Sequence, residues 1–240
     1  VDLTSTIWER IAPAPAGAMT GSSVVLAFAV ALAVCLVPGL WRWMRLAVTL
    51  VHELGHAGVG ILVGRRFTGF VVRGDMSGHA VTAGRPTGLG RVATTWAGYP
   101  MPAVVGAGLV LAATGRQAAP VLTALILILL GALLRARSAG TLLTLLVSLG
   151  IAAATWWWRS DAVQAQLLLG LGVVLLVGAW RHLGAVMSGA HPRGIADVSD
   201  PGVLHRLTHI PRVVWTGSFV LVLAAASWYA LLTLHTAATG

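Results

Sequence analysis

Val51-His52-Glu53-Leu54-Gly55-His56-Ala57 sets two histidines four residues apart, with a glutamate directly after the first. On a helix this spacing puts both imidazoles on one face, where they can ligate one Zn²⁺ while Glu53 beside them takes up and returns a proton. The chemistry implied is metal-assisted hydrolysis, with His52 and His56 as candidate metal ligands and Glu53 as candidate catalytic acid/base. The stretch lies inside an otherwise apolar run. An ionised carboxylate near mid-membrane costs about 2.5–3.5 kcal/mol on insertion scales, so a glutamate there calls for a partner, and a dication would offset the cost. The plainer alternative is a set of polar groups that satisfy one another across a helix bundle.

A catalytic zinc site has three protein ligands and one open position. Among the few acids, Asp2 and Glu9 precede the first apolar run and Asp161 is expected on the far side, which leaves Asp75, Asp197 and Asp200 as sources of a third ligand. Gly194-Ile-Ala-Asp-Val-Ser-Asp-Pro-Gly202 is broken by Gly and Pro and is able to re-enter toward a metal shielded by protein. The alternative for Asp197 and Asp200 is a solvated loop charge or a helix cap, which Asp200-Pro201 suits.

The elements that position these residues follow from composition. The chain has 240 residues, 57% hydrophobic and 10% charged, with a mean hydropathy of +0.86. An ordinary soluble domain is about 25% charged, so a cytosolic globular enzyme and a disordered tail are both excluded. Apolar stretches at about 23–40, 46–64, 92–114, 119–134, 140–158, 164–180 and 213–234 approach the roughly 20 residues that cross a bilayer core, and none alternates as a barrel strand would. The expected fold is an all-α polytopic membrane protein of about seven transmembrane helices with a small β-hairpin after the second. It forms one integral membrane domain over 1–240. Residues 1–22 are an interfacial N-terminus, 46–114 a motif-bearing core, 119–180 additional spans, 181–212 a cytoplasmic-side loop with the re-entrant segment, and 213–234 the last span. The run at 119–134 is the shortest and could pair with 140–158 as a tight hairpin.

The net charge of +9 comes entirely from arginine, with no long basic run, so no nucleic-acid partner is expected. The arginines report topology instead. Arg10, Arg65, Arg66, Arg73, Arg85, Arg91, Arg135, Arg137, Arg181, Arg193, Arg206 and Arg212 fall in one set of segments, and Arg42, Arg45, Arg116 and Arg159 in the other. The positive-inside rule then puts the N-terminus and the 65–91 loop in the cytoplasm and the C-terminus outside. Trp41, Trp43, Trp156, Trp157, Trp158, Trp180 and Trp215 fall at expected span ends, as an aromatic belt does. Cys35 is the single cysteine and lies in an apolar run, so no internal disulfide can form.

Residues 67–83 carry β-branched and aromatic residues on both sides of Gly74-Asp75-Met76-Ser77-Gly78 and read as a β-hairpin. It could accept an opened substrate segment as an added strand, with Val71, Val72 and His79 as candidate substrate contacts, or serve as a packing plug over the site. Pro100 and Pro102 are expected to kink the third span. Residues 203–209 suit a short amphipathic helix, whose polar face would carry His205 and His209.

His52-Glu53-Leu54-Gly55-His56 in a membrane span, a following Gly-rich hairpin, and Gly98-Tyr99-Pro100-Met101-Pro102-Ala103 in the next span together resemble the site-2 protease family of intramembrane zinc metallopeptidases. The likeness is to the short bacterial branch without a PDZ domain. Ser199-Asp200-Pro201 through Leu207-Thr208-His209-Ile210-Pro211 to Trp215 is similar to that branch's Ser-Asp segment before its last span. The resemblance implies one Zn²⁺ held by His52, His56 and Asp200, with Asp197 in reserve, and Glu53 as the acid/base. This chain departs from the pattern in having no asparagine: it offers Asp200-Pro201-Gly202 where many members carry Asn and Pro ahead of Asp-Gly.

The expected activity is hydrolysis of a peptide bond within or beside a substrate's membrane span, in a bacterial cell membrane. The expected partners are a membrane-protein substrate, the lipid bilayer and a regulatory membrane protein. Two rivals stand beside it. A divalent-cation transporter would place polar groups on several spans, yet 119–134, 140–158 and 213–234 offer little but Thr and Ser. A non-catalytic membrane subunit with a retained metal site would be favoured by a fourth protein ligand.

Overall fold

A computed structural model of the chain describes residues 3–14, 19–72, 78–188 and 197–239. Asp2, Arg73, Asp75, Arg193 and most of the hairpin turn lie outside the described residues. The described chain is helical except for one two-stranded sheet. Its elements are α1 (Leu3–Ile11), α2 (Gly21–Leu36), α3 (Pro38–Leu62), β1 (Arg66–Val72), β2 (Gly78–Ala83), α4 (Leu89–Trp96), α5 (Pro100–Thr114), α6 (Ala118–Leu133), α7 (Ala139–Trp157), α8 (Asp161–Ser188), α9 (Asp200–Thr208) and α10 (Arg212–Thr239).

Each expected apolar run is helical, but the runs do not make seven separate crossings. Among the described residues α7, α8 and α10 are long and apolar enough to span a membrane, and the number rises to five if each of two bent pairs counts as one span. The first pair is α2 and α3, which meet at 101°. Pro38 has no N–H to donate and forces the preceding residue out of the helical region, so Val37 is extended at φ −81°, ψ 114° and the chain turns there. The second pair is α4 and α5, bent by 59° just before Pro100. Helix α6 has only 16 residues and packs against α7.

The core is built where α5 and α8 cross. Gly106 and Gly172 face each other there, and a Cβ on either would lie 2.7 Å from the other's carbonyl oxygen. The two helices therefore touch backbone to backbone, the small-residue mode that packs helices in lipid. Leu168, Leu169, Leu175, Phe219 and Leu223 bring α8 and α10 into the same buried cluster. A second cluster joins Phe70 of β1 to Leu122 and Leu129 of α6 and Leu145 of α7.

The bundle has two distinct ends. At one, Arg116 donates to the Ala14 carbonyl (2.8 Å) and Arg159 to that of Ala12 (2.8 Å), Arg10 donates to the Trp157 carbonyl, and Gly21 abuts the Ala238 backbone. At the other lie the sheet, the α6–α7 link and α9, since Phe70 bridges to Ala136 and α9 packs on α4 and α10. Two topological expectations are thereby corrected. The N-terminal segment stands opposite the 65–91 loop rather than beside it, and the described C-terminal residues share the N-terminal end. The chain changes direction at the Pro38 bend, between two runs expected as separate crossings. Arg42 and Arg45 move with it: Arg181 stacks 4.4 Å over Trp41, so the start of α3 lies toward the sheet end.

Candidate metal centre

His52 and His56 occupy successive turns of α3, and helix geometry alone brings their Nε2 atoms to 3.1 Å. Asp200 reaches them from the first turn of α9, its Oδ2 lying 3.4 Å from His52 Nε2 and 3.2 Å from His56 Nε2. These three side chains form the group able to hold a metal among the described residues. All three are mostly shielded, with side-chain exposures of 14%, 12% and 16%.

The donor set fits a divalent cation. His56 Nδ1 donates to the Thr94 carbonyl (2.7 Å), which leaves Nε2 of the neutral ring as an electron pair aimed at the cluster. Two imidazole nitrogens and a carboxylate oxygen within 3.4 Å of one another repel unless a cation or shared protons lie between them. Two ligand atoms about 2.0–2.2 Å from one tetrahedral Zn²⁺ are separated by roughly 3.3–3.6 Å, close to the spacing here. Asp200 lies outside the spanning helices. Burial would raise its carboxyl, but in the metal-free cluster protons shared with the facing His56 and His52 rings hold it below the usual carboxylate range.

Glycines let the supporting elements approach. A Cβ on Gly55 would lie 2.6 Å from Met101 Cβ and 3.0 Å from the Ala97 carbonyl, so the glycine between the ligands is where α3 meets the α4–α5 bend. A Cβ on Gly98 would collide with both imidazole rings. One on Gly78 would collide with the Glu53 carboxyl, so the first residue of β2 sits directly against that side chain. Glu53 is buried, and its Oε2 has no hydrogen-bond partner among the described residues.

Asp197 is placed differently from Asp200. Its Oδ1 accepts from the backbone N–H and hydroxyl of Ser199 (3.0 and 2.6 Å), and its Oδ2 pairs with Arg212 (3.0 Å). Ser199 in turn caps α9, so Asp197 braces the helix that carries Asp200. Leu204, fully buried, anchors the same helix. His205 and His209 are exposed, and His205 Nδ1 donates to the Ile210 carbonyl (2.9 Å), away from the cluster.

In the sheet, Val71 pairs with His79 and Val72 with Gly78. Val71 is half-buried and His79 exposed. The outer edge of β1 is occupied: Phe70 N–H donates to the Arg135 carbonyl (3.2 Å) and Arg137 N–H to the Phe70 carbonyl (3.1 Å). Phe70 therefore points its backbone groups away from β2, and its partner Ala80 must point its own outward on the opposite edge. No described residue bonds that Ala80 N–H. Among the described residues the edge with no neighbouring strand thus belongs to β2, the strand lying on Glu53, and Arg65 donates to its Thr82 carbonyl (3.4 Å).

Three neighbours of the cluster carry no ligand or acid/base pattern in the sequence, although Tyr99 stands in the Gly98-to-Ala103 stretch that shares in the family resemblance. The Tyr99 ring meets His52 edge-on at 4.9 Å and stacks on Phe219 at 5.3 Å. His182 of α8 stands 6.3 Å from the His52 ring. Thr94 acts through its carbonyl, which any residue could supply. The one hint for His182 was a histidine ending an apolar run.

A family model described as Peptidase M50B-like matches residues 25–230. No curated protein and no solved structure matches the chain.

Proposed function

Since the chain belongs to the M50B-like peptidases, the site-2 protease family, we propose that it is an intramembrane zinc metalloendopeptidase that hydrolyses a peptide bond within or beside a substrate's membrane span. The observation that carries this reading is the convergence of His52, His56 and Asp200 on one point beside a buried glutamate with an unpartnered oxygen. Two imidazoles and one carboxylate, with no fourth protein ligand in the group among the described residues, are the donor set of catalytic rather than structural zinc. Bound Zn²⁺ supplies Lewis acidity and a water acidified toward neutral pH. With the ion bound, Glu53 would accept a proton from water and return it to the leaving amine. The Thr94 carbonyl fixes the His56 ring and its tautomer. Removing the metal with a chelator is expected to abolish cleavage of a transmembrane peptide, and stoichiometric Zn²⁺ to restore it; cleavage by metal-free protein would overturn the assignment.

A substrate helix hides its carbonyls and must open before hydrolysis. The unpaired edge of β2 offers the opened segment a strand to join, next to Glu53. Val71, Val72 and His79 then act through the sheet that presents this edge. Ala80→Pro removes the outward N–H without touching a β1–β2 bond, so cleavage is expected to fall about tenfold, the worth of one or two hydrogen bonds, while zinc content holds. Undiminished cleavage by this variant would leave the hairpin as a packing plug.

Orientation in a bacterial cell membrane follows from the arginines once their ends are known. Arg10, Arg116 and Arg159 are the arginines at the end shared by the N-terminal segment. Arg65, Arg66, Arg85, Arg135 and Arg137 stand at the sheet end. The positive-inside rule puts the sheet end and the metal centre on the cytoplasmic side and both described chain ends outside. The substrate is a membrane protein, and no nucleic acid is involved.

A further inference from the structure

Behind the sheet, on the side away from the metal centre, Ile61, Arg66, Phe67, Thr68, Arg135 and Arg137 line a shallow dish. It holds three guanidinium groups and no acid. Arg137 is fixed by donation to the Thr68 carbonyl (2.5 Å). Arg66 and Arg135 are exposed and form no ion pair or side-chain hydrogen bond with any described residue. Three arginines lining one dish can converge on a single anion through charge-assisted hydrogen bonds from their planar forks.

The surface around the dish identifies the source of the anion. Ile61, Leu62 and Leu134 are 57%, 85% and 84% exposed and border Arg66 and Arg135 in sequence or across the dish. A soluble phosphate or an acidic peptide makes no use of such an apolar rim. A phospholipid uses both parts, its phosphate among the arginines and its acyl chains along the leucines. We propose that this dish is a binding site for the phosphate of an anionic phospholipid. The site would also be structural. Arg66 opens β1, while Arg135 and Arg137 flank the bridge from Ala136 to Phe70, so one phosphate ties the β1 edge of the sheet to the α6–α7 link. That clamp lies opposite the open edge of β2 and steadies the strand resting on Glu53. The proposal needs only that the protein sits in a membrane and is independent of hydrolysis.

The test uses the full chain in detergent and in nanodiscs. Native mass spectrometry with phosphatidylglycerol and phosphatidylcholine is expected to show about tenfold preference for the anionic lipid, because phosphatidylcholine brings the same phosphate but sets its choline cation beside three arginines. Arg66→Gln with Arg135→Gln removes that preference. Amide exchange at Phe70 and Arg137 is expected to slow in phosphatidylglycerol nanodiscs relative to phosphatidylcholine for wild type and not for the double variant. Equal retention of the two lipids by wild type overturns the proposal, and this arm stands even if the variant does not fold. Displacement of the lipid by millimolar inorganic phosphate would make it a site for free phosphate, and binding of an acidic peptide without lipid would make it a peptide site. Either outcome also refutes it.

Discussion

Glu53→Gln is expected to keep its zinc and to lose cleavage by about 10²–10⁴-fold, the usual contribution of a positioned acid/base. The substitution replaces one carboxylate oxygen by an amide nitrogen of nearly the same size, so the close seat of Gly78 against this side chain is kept. The amide cannot accept the proton of a water. His52, His56 and Asp200 are untouched, and metal content should remain that of wild type. Stability should move the other way. Glu53 is buried and one of its oxygens lacks a partner among the described residues, so removing its charge relieves a desolvation cost and the variant should melt no lower than wild type. Cleavage of a transmembrane peptide, zinc by elemental analysis and thermal unfolding measure the three effects on one preparation. A variant that cleaves like wild type with zinc in place would reduce Glu53 to a packing group and end the protease reading.

The opposed signs of those effects explain why the ligand helix was legible without coordinates. A costly glutamate between two histidines at helical spacing has few structural uses in an apolar run, and periodicity alone fixes the geometry of His52 and His56. The hairpin was legible for a similar local reason, since its residue types alternate around a Gly-rich turn. What sequence could not supply was non-local. Hydropathy counts apolar length but not direction, so the 101° bend at Val37–Pro38 between two apolar runs is invisible to it. The topology inferred from the arginines goes wrong at Arg42 and Arg45 for that reason. Likewise, Val71 and Val72 drew attention as β-branched residues, whereas the edge left open is decided by the contact of Phe70 with Arg135 and Arg137, far away in the chain. Tyr99 and His182 reach His52 only through the packing of α5 and α8 on α3.

The choice between the two aspartates of the α9 segment gives the second large effect. Asp200→Ala removes an oxygen 3.2–3.4 Å from both histidine nitrogens, so zinc affinity should fall by more than the 10–100-fold typical of losing a supporting partner of a ligand. Asp197→Ala takes away the Ser199 bonds and the Arg212 pair but no atom of the cluster. It should destabilise the protein by about 1–2 kcal/mol, the scale of a lost helix cap, while zinc stays bound. Thermal unfolding with and without added zinc separates the cases through linkage. A ligand that binds only the folded state raises the melting temperature in proportion to the logarithm of its concentration over its Kd. Wild type and Asp197→Ala should both show that rise, the latter from a lower baseline, and Asp200→Ala should not show it at low micromolar zinc. If Asp197→Ala instead abolishes the rise and Asp200→Ala preserves it, the two acids exchange roles, and α9 must turn about its Ser199 cap to bring Asp197 to the histidines. The fully buried Leu204 and the Trp215 bond to Thr208 (3.3 Å) oppose such a turn, which is why the larger loss of metal is expected at Asp200.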